Sequence, residues 1–289
     1  MTSLAEWVVG ARPPTLPAAV APVLVGTGAA AGVDAFDPGR AMLALLVSLA
    51  LQVGVNYAND YSDGVRGTDT DRVGPTRLVG SGLATATAVR TAAVICFGIA
   101  AVAGIALAAM TSWWLLAVGA IAIAAAWFYT GGTKPYGYRA LGEVAVFVFF
   151  GVVAVVGTAY VQAEQILPQA VVASVPVGLL ACALLVVNNL RDLDSDAESG
   201  KRTLAVVLGQ RRTRWLYATM VVFSFVVVAG LALSARPFAA LGLAAAIPAL
   251  PPVGAVLGGA RGAALLPVLR ATGLTQLLLG LLLALGLAI

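Results

Sequence analysis

Histidine is absent from the 289 residues, cysteine occurs only twice, and charged residues make up 10% of the chain. Soluble domains are about 25% charged, so this chain lacks the polar side chains to cover a globular surface in water. Without histidine there is no imidazole general base and no His-ligated metal. Cys96 and Cys182 both sit inside apolar runs, where a thiol behaves as a small buried hydrophobe rather than a disulfide partner or zinc ligand. The segment Met1 to Pro14 lacks the basic, apolar, small-residue order of a cleaved signal peptide. With Glu6, Trp7 and Arg12 it reads as an interfacial segment leading into a first span. These shortages exclude a cytosolic enzyme, a disordered tail and a secreted disulfide scaffold. What is abundant is hydrocarbon, 61% of the residues, and that composition belongs to an integral membrane protein.

The expected fold is all-α and polytopic. About 20 helical residues span the bilayer core, and nine apolar runs of that order occur, at 15–33, 40–60, 88–110, 112–131, 141–162, 168–190, 213–234, 237–258 and 269–288. The runs are continuous instead of alternating every second residue, which favours helices over a barrel. Pro168, Pro237 and Pro267 fall near span starts, where a missing N–H is tolerated. Pro176, Pro248, Pro251 and Pro252 fall inside spans and are expected to kink them. With the N-terminus cytoplasmic, fifteen basic residues share one face, and only Arg40 and Arg236 lie on the other. That positive-inside split predicts a cytoplasmic N-terminus and an external C-terminus.

The acids are sorted as sharply, because eight of the thirteen lie in two cytoplasmic segments. The first runs from Asn56 through Asn59, Asp60, Asp63, Arg66 and Asp69 to Asp71; the second runs from Asn188 and Asn189 through Arg191, Asp192, Asp194 and Asp196 to Glu198. Asn56 and Asp60 are four apart, as are Asn188 and Asp192, so each pair shares a helical face. The clusters are 132 residues apart, which suggests one domain over 1–289 built as a four-helix unit used twice, 15–131 and 141–258, plus a ninth helix at 269–288.

Clustered carboxylates repel one another, and each ionised group near hydrocarbon costs about 2.5 to 3.5 kcal/mol at a helix centre. A hard cation relieves both problems. Oxygen-only ligands point to Mg²⁺, which keeps several waters and bridges carboxylates to phosphate oxygens. The candidate metal set is Asp60, Asp63, Asp69, Asp192, Asp194 and Asp196. Interleaved Arg66, Arg72, Arg77, Lys134, Arg139, Arg191, Lys201 and Arg202 would face the remaining diphosphate charge. Acid-held Mg²⁺ ringed by cations at a membrane surface describes a site for a lipid diphosphate. The plainer reading, solvated loops, leaves unexplained why asparagines sit within the apolar helices beside the acids. A third segment, Tyr129 to Glu143, joins spans four and five; its glycines permit a tight turn, Lys134 and Arg139 are plausible diphosphate contacts, and Glu143 begins span five.

These segments resemble the UbiA superfamily of intramembrane prenyltransferases, whose members carry two Asp-rich motifs on cytoplasmic loops of a nine-helix fold. The second motif, Asn188-Asn189-x-Arg191-Asp192-x-Asp194-x-Asp196 followed by Gly200-Lys201-Arg202-Thr203, is the more specific. In the first, Asn59, Asp60 and Asp63 fit the family pattern, while the next expected acid falls at Gly67, with Asp69 two residues later. That Gly67-x-Asp69-Thr70 form is similar to the menaquinone-making branch, which prenylates 1,4-dihydroxy-2-naphthoate. So are Arg12-Pro13-Pro14-Thr15-Leu16-Pro17-Ala18 and the Tyr129-Thr130-Gly131-Gly132 and Lys134-Pro135-Tyr136-Gly137 stretches.

The resemblance implies Asp60, Asp63, Asp192, Asp196 and Lys134 as catalytic residues. It implies Asn56, Asn59, Arg66, Tyr129, Arg139, Asn188, Asn189, Arg191 and Lys201 as substrate-binding residues. The implied partners are a polyprenyl diphosphate, an aromatic acid and membrane lipid, with no nucleic acid. The implied place is a bacterial plasma membrane with the active site facing the cytoplasm. The implied reaction is Mg²⁺-dependent prenyl transfer with loss of diphosphate and CO₂, giving demethylmenaquinol. Another aromatic acceptor, 4-hydroxybenzoate or homogentisate, is the nearest rival. A secondary transporter is a further one, although transporters hold their sites near the midplane and these acids stand at helix ends.

Overall fold

A computed structural model describes residues 2–67, 76–234 and 236–289. Helices α1 Leu4–Gly10, α2 Pro17–Ala31, α3 Pro38–Arg66, α4 Ala86–Met110 and α5 Leu115–Phe128 make up the first half. The second half contains α6 Gly142–Ala163, α7 Pro168–Arg191, α8 Leu193–Glu198, α9 Leu204–Ser234, α10 Pro237–Leu257 and α11 Gly262–Ala288. Among the described residues no strand forms, and one isolated bridge joins Arg139 to Arg202.

Seven of these helices are long and apolar enough to cross a membrane: α3, α4, α6, α7, α9, α10 and α11. An eighth crossing results if Leu4–Thr15 and Pro17–Ala31, bent by 54° from each other, count as one broken span. The predicted span at 112–131 is reduced to the 14 residues of α5, because the Ser112–Trp114 turn precedes it and Gly131 and Gly132 follow it. At 1.5 Å per residue α5 covers about 21 Å, less than the hydrocarbon thickness. Prolines occupy both helix starts and helix interiors. Helix α7 runs on through Pro176, whereas α10 opens as a 3₁₀ helix over Pro237–Ala245 before its α-helical half. Helix α9 begins nine residues earlier than the predicted 213, passing a break at Gly209. A π-helical stretch at Phe147–Val153 inside α6 had no signature in the hydrophobic pattern.

Local chemistry explains the boundaries. Ser3 and Glu6 form a reciprocal capping box on α1. Asp37 caps α3 by accepting from the Arg40 N–H at 3.0 Å, with Pro38 at the first helical position. At its far end Gly67 closes α3 with φ +69°, a conformation suited to glycine. The 29 residues of α3 extend about 44 Å, longer than the ~30 Å hydrocarbon core. Its length therefore leaves room for the turns that carry Asn56 to Asp63 beyond a full crossing.

Helix α11 packs along α2 and α10, α7 along α9, and α3 along α4. Small residues make the closest crossing possible: a Cβ at Gly28 would lie 2.3 Å from the Ala284 carbonyl, and one at Gly280 would lie 2.7 Å from the Ala21 side chain. The main core joins Val25, Val155, Val177, Leu180, Tyr217, Leu279 and Leu283. Outward-facing Val102, Ile247 and Leu250 are each at least 70% exposed, the inverted surface of a protein solvated by lipid.

Candidate active site

A cavity of about 210 Å³ opens between the polar ends of α3 and α7. Both helices direct carboxamides and carboxylates into it: Asn56, Asn59 and Asp63 from α3, and Asn188, Asn189, Asp192 and Asp196 from α7 and α8. Tyr129, Arg77 and Lys201 complete the predicted residues on its walls. Helical spacing put each set on one face of its own helix; the facing of the two sets comes from the packing of the helices.

Asp63 is the hub. It is buried and accepts a hydrogen bond from the Tyr138 hydroxyl. Lys201 Nζ stands 3.3 Å from Oδ1 and Arg77 Nη2 stands 3.7 Å from Oδ2. Lys201 and Arg66 also lie over the Tyr138 ring, 5.0 and 5.5 Å from its centre. Three separate loops, around residues 77, 138 and 201, thus meet on one carboxylate. Burial, and then the Asp63 charge, push the Tyr138 phenol above its ordinary range, so it stays a protonated donor. Burial pushes Tyr136 up to about 12; its hydroxyl donates to the Ala125 carbonyl at 2.8 Å. Asn59 accepts from Thr130 Oγ1 at 2.8 Å, bringing the glycine-rich loop against α3.

The other predicted residues are placed differently. Asp60 is 1% exposed, and both its oxygens accept backbone N–H bonds, from Leu78 at 2.8 Å and Val79 at 3.0 Å. It is not among the cavity-lining residues and instead fastens the segment that carries Arg77. Arg191 makes a bidentate pair with Asp192, 2.7 Å on each oxygen, and reaches Asn188 Oδ1 at 2.9 Å, so it orients the α7 acids from behind. Arg66 donates to the carbonyls of Thr130 and Gly132, stitching α3 to the loop. Lys134, Arg139 and Asp194 are exposed and off the cavity wall. Glu143 is buried, accepting from Asn189 Nδ2 at 3.1 Å. Asp69 and Asp71, together with Arg72, lie outside the described residues.

Among the lining residues that sequence reasoning missed are Arg12, Gln52, Thr130 and Tyr138. Gln52 lies a turn before Asn56 on the same face, a usable signal. Arg12 and Thr130 arrive from segments that only tertiary packing brings there.

The donor set suits a hard cation. It is all oxygen, with carboxylates and carboxamides on facing walls. Among the described residues no group of three or more acids or cysteines is placed to hold a metal ion by itself.

A second cavity of about 190 Å³, almost wholly apolar, lies between α3, α4, α5 and α6. Val55, Phe149 and Phe150 line both cavities, so the polar and the apolar chamber adjoin at these three side chains.

Comparison with known proteins gives a consistent picture. The model of the UbiA prenyltransferase family matches residues 19–260. A curated relative, 1,4-dihydroxy-2-naphthoate octaprenyltransferase of Mycobacterium tuberculosis, is 54% identical over 288 residues, covering 100% of this chain and 98% of the relative. The Escherichia coli protein of the same name is 38% identical, covering 77% of this chain and 75% of the relative. Among solved structures, a UbiA homolog from Archaeoglobus fulgidus bound to GPP and Mg²⁺ superposes with a TM-score of 0.68 at 13% identity, covering 96% of this chain and 99% of that one.

Proposed function

Because the chain belongs to the UbiA prenyltransferase family, we propose that it transfers a polyprenyl group from polyprenyl diphosphate to 1,4-dihydroxy-2-naphthoate, with loss of diphosphate and CO₂. The carrying observation is the pair of adjacent cavities, an acid- and cation-lined chamber beside an apolar one, with Val55, Phe149 and Phe150 lining both. One end suits a diphosphate and the other a prenyl tail. The acceptor identity rests on the relatives at 54% and 38% identity.

Asp63, Asp192 and Asp196 are the residues that would hold Mg²⁺, with Asn56, Asn59 and Asn188 as neutral oxygen donors. Bound there, Mg²⁺ supplies charge neutralisation for the diphosphate. Arg77 and Lys201 line the same chamber and stabilise negative charge as the allylic C–O bond breaks and its electron pair leaves with the diphosphate. The apolar walls keep water from the resulting allylic cation. A ring carbon of the dihydroxynaphthoate attacks that cation. The carboxylate departs as CO₂ and leaves its electron pair on the ring, so the overall exchange needs no oxidant.

Nine membrane passes, with the N-terminus cytoplasmic, the C-terminus external and the chamber facing the cytoplasm of a bacterial plasma membrane, belong to the same proposal. The fifteen-to-two split of basic residues supports that orientation. In this reading the short α5 completes its pass through the flanking turns.

The test uses purified protein, a polyprenyl diphosphate and carboxyl-labelled 1,4-dihydroxy-2-naphthoate. Label release coupled to prenylated quinol, present with Mg²⁺ and lost with EDTA, is the expected result. A prenylated product from 4-hydroxybenzoate and none from the naphthoate would move the assignment to that acceptor.

A further inference from the structure

Arg12 stands in a conformation that a side-chain-bearing residue adopts at a cost, φ +55° and ψ +67°, about 1–2 kcal/mol for a non-glycine residue. Such a residue persists where its surroundings over-determine it, and here they do. Asn56 Nδ2 donates to the Ala11 carbonyl at 2.9 Å and to Thr15 Oγ1 at 3.0 Å. Gln52 Nε2 donates to Thr15 Oγ1 at 2.9 Å, and that hydroxyl donates to the Arg12 carbonyl at 2.9 Å. The Tyr57 hydroxyl holds the Trp7 carbonyl at 2.8 Å, and Gly10 lets α1 approach Leu78 and Tyr57 where a Cβ would collide. The whole N-terminal arm is thereby seated on α3, with half-buried Arg12 on the wall of the polar chamber.

The backbone on either side of Arg12 is anchored deeper in the chamber than Asp63. Asn56, level with Arg12, precedes Asp63 by seven residues on one helix, about 10 Å along its axis. A diphosphate among Asp63, Asp192, Arg77 and Lys201 would point its reactive carbon inward, past that mouth. Its tail has the apolar cavity on the α4–α5 side. The ring that attacks the carbon must then occupy the remaining wall, where Arg12, Thr15 and Gln52 lie beside Leu269 of α11.

We propose that Arg12 binds the carboxylate of the aromatic acceptor and, with the Thr15–Gln52–Asn56 group, sets the orientation of its ring. This rests on the acceptor being an aromatic acid, as in the function proposed above. The planar guanidinium matches a carboxylate bidentately, which an ammonium does not. Arg12 is thus a specificity residue for the acid acceptor.

The experiment compares wild type, Arg12→Gln and Arg12→Lys, both of which keep a side chain under the same backbone constraint. The KM of each substrate is measured, as are dissociation constants for 1,4-dihydroxy-2-naphthoate and for 1,4-dihydroxynaphthalene, which lacks the carboxylate. Arg12→Gln is expected to raise the KM for the acid about 10- to 100-fold, the range of a charge-assisted hydrogen bond. The KM for the diphosphate and the affinity for the diol should stay within about twofold, with Arg12→Lys intermediate for the acid. Wild type that binds the diol as tightly as the acid overturns the assignment without any variant. So does a rise in the diphosphate KM, an equal loss of both ring ligands, or no change at all. Wild type that neither binds nor prenylates the naphthoate sinks the acceptor reading itself, whereas normal wild-type turnover with indifferent variants sinks only the role of Arg12.

Discussion

Asp60 and Asp63 sit three residues apart in one motif, yet their surroundings assign them different tasks. Asp60 spends both oxygens on the Leu78 and Val79 amides, while Asp63 lines the chamber. Asp60→Ala leaves two amides without their acceptor, about 1–3 kcal/mol each if they stay buried. Faster hydrogen exchange at residues 76–82, along with lost turnover, is the expected outcome; loss of turnover with unchanged exchange there would mean a direct role in binding. Asp192→Asn should reduce turnover by at least about 100-fold while membrane insertion is retained, measured by label release and membrane fractionation. Near-normal turnover in that variant would count against the α7 acids as the metal-binding wall. The spacing of Asn56, Asp60, Asn188 and Asp192 made the two acidic faces legible. Which acid lines the chamber was not, because that depends on backbone amides arriving from residues 78 and 79.

At the scale of elements, the fold depends on how helix ends are tied and how closely helices cross. On the face opposite the chamber Arg40 of α3 donates to the Met110 carbonyl of α4 at 2.9 Å, and to the Val161 carbonyl and Glu164 after α6 at 2.8 and 2.6 Å. From charge distribution alone, its removal should be neutral for catalysis. The structure adds a stability role: Arg40→Ala should keep kcat while losing about 1–3 kcal/mol, read as a lower thermal-inactivation temperature in detergent. A fall in kcat at full stability would contradict this placement. Gly28→Val should be far more damaging, since its Cβ would press on the Ala284 backbone of α11 and overpacking of a tight crossing costs about 1–3 kcal/mol or more. Loss of the folded form in detergent is the readout.

The whole molecule divides its labour between a polar mouth and an apolar interior. If the second cavity houses the prenyl tail, Gly119→Phe should shorten the chains accepted, because Gly119 lines it and an aromatic ring would fill much of its volume. Competition between short and long prenyl diphosphates measures this, and an unchanged product ratio would place the tail elsewhere. For topology, a cysteine replacing Arg236 should react with an impermeant reagent from outside intact cells and one replacing Arg212 should not. The opposite pattern would invert the assigned orientation.

Composition by itself determined the solvent of this protein, since a chain with so few charges has only lipid to face. Hydrophobic run lengths located the long helices, although the start of α9 was misplaced by nine residues, and helical spacing put acids and asparagines on common faces. These are local properties, legible because they depend on near neighbours in the chain. Only the tertiary structure decided that Asp63 is the meeting point of three loops, that Asp60 and Arg191 lie behind the chamber wall, and that Lys134 stays outside it. Arg12 belongs with these. It comes to a wall formed by α3 and α11 through hydrogen bonds to residues about forty positions away, and no periodicity along a single helix encodes a partner that distant.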